Sequence, residues 1–203
     1  MKTRIACPLF TLLLPLCAIL PAAAQVPNTL RHSIPAPVDT QSRAELGFAV
    51  AVDGNFTVVG APLDDLLAFN AGVVKVFDSS SGELRYVISN PDPAAGEEFG
   101  YSVAISGTRV VVGARRDNTG ATSAGSAYVY DLGSGTPTVP VATLNNPGPG
   151  SANSDEFGFS VAIFGTRVVV GAPFDDTGAS NAGSAYVYDL SSGTPTVPLA
   201  TLN

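Results

Sequence analysis

Bulky and small residues alternate along residues 99–105, where Phe99, Tyr101, Val103 and Ile105 are separated by Gly100, Ser102 and Ala104. A period of two predicts a β-strand with one large face and one small, uncharged face, both of them buried. A turn at Ser106-Gly107 leads into Val110-Val111-Val112, a β-branched run of the kind found in strands covered on both sides. A polar loop follows, then Ser126-Ala127-Tyr128-Val129-Tyr130, with both tyrosines on one face and Ala127 and Val129 on the other. The last segment, residues 136–144, carries Pro137 and Pro140. Proline cannot donate to a ladder, so an edge strand is expected there, and its prolines discourage edge-to-edge pairing.

This four-segment pattern recurs. Residues 98–145 and 156–203 match at 39 of 48 positions at an offset of 58, and a more diverged copy runs from Glu45 to about Pro91 at an offset of 53. Near-copies at this period predict stacked supersecondary units. The short glycine turns (Asp53-Gly54, Ser106-Gly107 and Phe164-Gly165) demand antiparallel neighbours, which favours propeller blades over the parallel coils of a β-solenoid. The small faces suit the crowded inner strand of a radial assembly. The expected fold is therefore all-β, with three four-stranded antiparallel β-propeller blades over residues 45–96, 97–154 and 155–203.

Residues 1–24 read as a secretory signal: Lys2 and Arg4 open it, residues 12–20 are largely apolar, and Ala22-Ala23-Ala24 precede Gln25 as the expected mature N-terminus. The apolar run, interrupted by Pro15 and Pro21, is shorter than the roughly 20 residues of a membrane span. Both cysteines, Cys7 and Cys17, lie inside this leader, so the exported chain has no disulfide or thiolate chemistry. Loss of Lys2 and Arg4 leaves eight basic side chains against 17 acidic ones, a net charge of −9. That sign repels nucleic acids and anionic lipid surfaces, and it suits a cationic partner or divalent cations. Residues 25–44 read as a proline-bearing linker, in which the single histidine, His32, lacks the neighbours that metal or triad chemistry needs.

The motifs Phe99-Gly100 with Val110-Val111-Val112-Gly113-Ala114, and Phe157-Gly158 with Val168-Val169-Val170-Gly171-Ala172-Pro173, resemble the FG-GAP repeat, the blade unit of the integrin α-subunit propeller and of many secreted bacterial proteins. The first copy has Leu46-Gly47 in place of Phe-Gly but keeps Gly60-Ala61-Pro62, and the second carries Arg115 where the proline belongs. The resemblance implies a seven-bladed extracellular propeller engaged in adhesion or protein recognition. Integrin-type blades also bind Ca²⁺ in an acidic loop between the first two strands. Here the glycine turns are too short to supply six to eight oxygens, so no cofactor is expected in these blades, and calcium only in further repeats.

The longest polar loops hold the candidate ligand-rim residues Asp64, Asp65, Asp117, Asp175, Asp176 and Asn181, with Glu97-Glu98 and Asp155-Glu156 adding to an acidic rim. Such residues equally satisfy the backbone of their own turns, and their recurrence in each blade favours that reading. Arg115 and Arg116 break the repeat; pairing with aspartates of neighbouring blades is expected ahead of a carboxylate ligand. Asn55-Phe56-Thr57 fits a glycosylation acceptor at a hairpin tip. The repeats contain no histidine, cysteine or tryptophan, which argues against catalysis, although propeller glycosidases built on two carboxylates remain an alternative.

The expected role is a secreted, non-enzymatic module for protein recognition or cell-surface adhesion; the alternative is a scaffold for a downstream domain. Three blades leave two apolar flanks, so further blades of the same chain or self-association are expected to cover them.

Overall fold

The alternating segments form twelve strands in a computed structural model that describes Ser33, residues 43–148 and residues 153–203. The predicted leader, His32 and most of the 25–44 linker lie outside the described residues. The first sheet contains β1 (Ala49–Asp53), β2 (Phe56–Ala61), β3 (Val73–Asp78) and β4 (Leu84–Ser89). The second contains β5 (Phe99–Ser106), β6 (Arg109–Ala114), β7 (Ser126–Asp131) and β8 (Ala142–Asn145). The third contains β9 (Ser160–Phe164), β10 (Arg167–Ala172), β11 (Ser184–Asp189) and β12 (Ala200–Leu202). Each is an antiparallel meander in chain order. The inner strands β1, β5 and β9 touch in series, whereas the outer strands β4, β8 and β12 make no comparable contact. Sheets that converge at one edge and splay at the other are β-propeller blades.

Each blade boundary is a shared hydrophobic core. Val58, Val74, Val76 and Ile88 of the first blade meet Phe99, Val110, Val112, Tyr128 and Tyr130 of the second. Val111, Ala127, Val129 and Leu144 then turn the other way, onto Phe157, Val168, Val170, Tyr186 and Tyr188 of the third. The run Val110-Val111-Val112 is thus buried on both sides, as its β-branched continuity predicts. Burying Phe99 and Phe157 contributes about 2–3 kcal/mol each. The blades also approach closely as backbone: a Cβ on Gly113 would lie 2.0 Å from the carbonyl oxygen of Gly158, whose φ of 89° is itself in the left-handed region. Ser102 Oγ donates to that same carbonyl at 2.7 Å.

Two sequence expectations need correction. The hairpin loops are Gly54-Asn55, Gly107-Thr108 and Gly165-Thr166, one residue later than predicted, because Asp53 pairs with Phe56, Ser106 with Arg109 and Phe164 with Arg167. Glycine at the first loop position carries the positive φ (54°, 61° and 59°), the geometry of a type II′ turn, and Phe164 stays in the extended strand. The displaced residues serve the next blade instead: Gly107 N–H donates to Asp53 Oδ2 at 2.7 Å and Gly165 N–H to Ser106 Oγ at 3.1 Å. The fourth strand is also shorter than expected. Pro137 lies in a turn and Pro140 in irregular chain ahead of β8, and pairing begins only at Ala142, since the missing N–H groups postpone the ladder.

Candidate functional site

The loops after β2, β6 and β10 (residues 62–72, 115–125 and 173–183) have the same length and nearly the same hydrogen bonds. Asp64, Asp117 and Asp175 open them. Their Oδ1 atoms accept the N–H of Leu66 (2.9 Å), Thr119 (2.7 Å) and Thr177 (2.6 Å). Their backbone carbonyls accept the N–H of Gly72 (2.9 Å), Gly125 (2.9 Å) and Gly183 (3.0 Å), which close each loop. In the second and third blades the far carboxylate oxygen accepts the Tyr128 and Tyr186 hydroxyls. Burial pushes Asp175 up, but the Thr177 and Tyr186 hydrogen bonds outweigh it and hold the group below its ordinary value.

The next residue does similar work. Asp65, Asn118 and Asp176 accept the N–H of Asn70 (2.6 Å), Ser123 (3.0 Å) and Asn181 (2.6 Å). Those three donors all sit at a φ near 50° (50°, 51° and 51°), a conformation that the side-chain acceptor helps to hold. The six predicted rim residues are therefore placed one set per blade, and the structure does not gather them into one cluster. All the same, the loops line a single rim. The connection to the following blade is sewn onto the first and second loops, with Glu98 N–H on Asn70 O (3.1 Å), Phe99 N–H on Ala71 O (2.9 Å), and Phe157 N–H on Ala124 O (2.9 Å).

Buried carboxylates lie under this rim. Glu97 Oε2 accepts Asn90 Nδ2 at 2.7 Å, and Asp155 Oδ2 accepts Asn146 Nδ2 at 2.8 Å, each fastening the chain between blades. Burial, then the nearby Asp117 carboxylate, raises Glu97; burial, then Asp175 and Asp176, raises Asp155. Among the described residues no group of three or more His, Cys, Asp or Glu side chains is arranged to hold a metal ion.

Arg115 pairs with glutamates, and the expected aspartate pairing is corrected accordingly. Its Nε donates to Glu98 Oε2 at 2.7 Å and its Nη1 to Glu156 Oε2 at 3.1 Å, while Arg116 Nη1 lies 2.9 Å from Glu98 Oε1. The aspartates are already committed to their loops, and the two glutamates open the inner edges of adjacent blades. The Arg115 guanidinium also lies 4.0 Å from the Tyr101 ring centroid. Tyr101 stands in a row of rings, 4.8 Å from Phe48 and 5.2 Å from Phe159. Burial works against the charge on Arg115, and the two glutamates more than compensate and raise its pKa.

Sequence reasoning passed over a further group on the same rim. Leu66, Leu67 and Phe69 of the first loop are 56 %, 54 % and 69 % exposed. Their counterparts are Thr119, Gly120 and Thr122 in the second loop and Thr177, Gly178 and Ser180 in the third. Aligning the loops, rather than the strands, would have brought them out.

Residues 86–130 and 149–188 match the model of the FG-GAP repeat. No curated protein matches the chain. Similar solved structures include crystal structures of two computationally designed proteins. The designed Ika8 protein is 20 % identical with a TM-score of 0.46, over 77 % of this chain and 36 % of that one, so the chain spans little more than a third of it. The designed Ika4 protein is also 20 % identical with a TM-score of 0.46, over 76 % of this chain and 70 % of that one.

Proposed function

The chain is an FG-GAP repeat protein, and on that premise we propose that it is a secreted, non-enzymatic recognition or cell-surface adhesion module that binds through the rim formed by its β2–β3, β6–β7 and β10–β11 loops. One observation carries this reading. The second and third repeats differ at nine of 48 positions, and five of those nine fall within the 11 residues of the rim loop. Strands, turns and outer segments are held nearly constant while one rim varies. Variation concentrated in loops on a constant scaffold supports a contact surface there. The loop aspartates support the non-enzymatic reading, because their oxygens are engaged in holding the rim and each sits in its own blade.

The test uses the absence of cysteine after residue 24. Single cysteines at Thr122→Cys, on the rim, and Thr138→Cys, on the opposite rim, are each conjugated to polyethylene glycol in the chain from Gln25 onward. Saturable binding of the labelled protein to intact cells of its source should be lost with the polymer at position 122 and kept with it at 138. Equal binding by the two conjugates overturns the rim reading.

A further inference from the structure

Apart from the rim, we propose that residues 34–42 are a strap that covers the leading face of the first blade and closes the array at that end. The face is formed by Thr57 and Val59 of β2 and by Val73, Lys75 and Phe77 of β3, which pair as Thr57 with Phe77 and Val59 with Lys75. The second blade packs against the opposite face, through Val58, Val74 and Val76, and the third packs against the second. No described blade therefore lies against the leading face. Even so, Val59, Val73, Lys75 and Phe77 are buried, and Lys75 is only 7 % exposed. The trailing face of the third blade shows what an uncovered sheet looks like. Val169, Ala185 and Val187 are only half-buried there, whereas their counterparts Val111, Ala127 and Val129 in the second blade are fully buried.

The cover is narrow. Val50 and Val52 of β1 share this face by their pairing with Val59 and Thr57, yet each is 67 % exposed, and Val87 beside Lys75 on β4 is exposed as well. A preceding blade covers more than that, since Val103 and Ile105, the counterparts of Val50 and Val52, pack against the first-to-second blade core. A single chain laid along β2 and β3 covers the middle pair alone. The residue types agree. Blades that receive a predecessor present Phe, Val and Tyr at the contact, as Phe99, Val110 and Tyr128 or as Phe157, Val168 and Tyr186. The first blade has Leu46, Thr57 and Lys75 at those positions. An ammonium in place of the tyrosine suits a thin cover, past whose edge the charged tip reaches water while the stem stays buried.

Chain continuity selects the occupant. The compact unit that holds the blades extends back to His32. Residue 42 joins the described chain at Arg43, beside buried Ala44 and just ahead of the first blade. Nine extended residues reach roughly 30 Å, against about 10 Å from the first strand of a sheet to the third and about 20 Å along a six-residue strand. The sequence Ile34-Pro35-Ala36-Pro37-Val38 suits the task. Its prolines favour an extended chain that needs no hydrogen-bonded partner, which a sheet face cannot supply, and they reduce the entropy lost on docking. Ile34, Ala36 and Val38 bring the apolar surface. Such a strap does for the first blade what each blade does for the next, so a further blade or a second copy adds there only by displacing it.

The test exploits Lys75, the only lysine besides Lys2. On the full natural chain Lys75 is loaded with a short amine-reactive diazirine and irradiated, and the adducts are mapped by mass spectrometry. They should fall within residues 34–42 of the same chain. Adducts between two chains, or adducts confined to other segments, overturn the proposal. The rate of amine acylation at Lys75 gives a second reading. It should not depend on protein concentration, and it should rise at least about ten-fold in the double variant Ile34→Ser, Val38→Ser, with urea unfolding as the check that the blades stay folded. An unchanged rate in the folded variant overturns the strap. So does a rate in the natural chain that falls as protein concentration rises, since the cover is then a second copy. Should the variant unfold, the photoadducts of the natural chain decide alone.

Discussion

Arg115 and Glu156 belong to different blades and meet across the boundary at 3.1 Å, Nη1 donating to Oε2. The same guanidinium holds Glu98 of its own blade at 2.7 Å, so one side chain ties the inner edges of two sheets at a position where the other blades carry Pro62 and Pro173. All three groups are largely buried. Removing the cation leaves Glu156 without this partner and Glu98 with Arg116 alone. Arg115→Ala should cost about 2 kcal/mol in urea unfolding, less than a fully buried pair because some solvent reaches the site. Arg115→Pro should cost the same and no more, because the two sister loops already accommodate proline there.

The same substitution should have opposite signs two residues apart. The Tyr130 and Tyr188 hydroxyls are buried without a hydrogen-bond partner among the described residues, and the first blade has Phe77 at the equivalent position. Tyr130→Phe and Tyr188→Phe should each stabilise the protein by about 1 kcal/mol. The Tyr128 and Tyr186 hydroxyls instead donate to buried Asp117 and Asp175. Tyr128→Phe and Tyr186→Phe should each destabilise it by about 1–3 kcal/mol, read as the shift in the urea midpoint.

Backbone proximity between blades gives a third expectation. Gly113→Ala directs its Cβ at the Gly158 carbonyl, which is backbone of the neighbouring blade just ahead of β9, and should cost about 3 kcal/mol. Gly135→Ala, with nothing within 4 Å and no left-handed φ, should be neutral. Thermal unfolding of the pair checks this contrast.

Two aspartates should give pH dependences of opposite sense. Burial, with Asp175 and Asp176 nearby, raises Asp155 above the ordinary value of 3.8 against the hydrogen bond from Asn146. Its cost is fully present once both folded and unfolded states are ionised, and it vanishes as pH falls below 3.8. Asp155→Asn should stabilise at neutral pH, with the gain disappearing in acid. Hydrogen bonds from Ser191 and Thr166 pull Asp189 down to about 2. Its contribution is present above the ordinary aspartate range and is lost as pH falls toward 2. Asp189→Asn should therefore destabilise at neutral pH and become neutral near pH 2. Urea titrations across pH separate the two.

The blades were legible because their signals are local. Alternation placed the strands, and the triple valine announced a strand buried on both sides. Tyr128 and Tyr130 were assigned to one face by spacing alone, and the structure puts both into the first-to-second blade core. The hairpins slipped by one residue because a type II′ turn needs positive φ only at its first position, and an Asp-Gly or Phe-Gly pair does not reveal which residue that is. The Arg115 partners were out of reach because they depend on how one sheet registers against the next. Leu66, Leu67 and Phe69 went unnoticed because three apolar residues in a short loop show neither a helical nor a strand period.

The central claim is that Leu66, Leu67 and Phe69, the exposed apolar side chains that break the repeat on the rim, serve contact rather than folding. Urea unfolding of the triple variant Leu66→Thr, Leu67→Gly, Phe69→Thr tests it without any partner in hand. The account predicts a stability within about 0.5 kcal/mol of the natural chain. A loss of more than about 2 kcal/mol would contradict it, because those side chains would then be holding the fold.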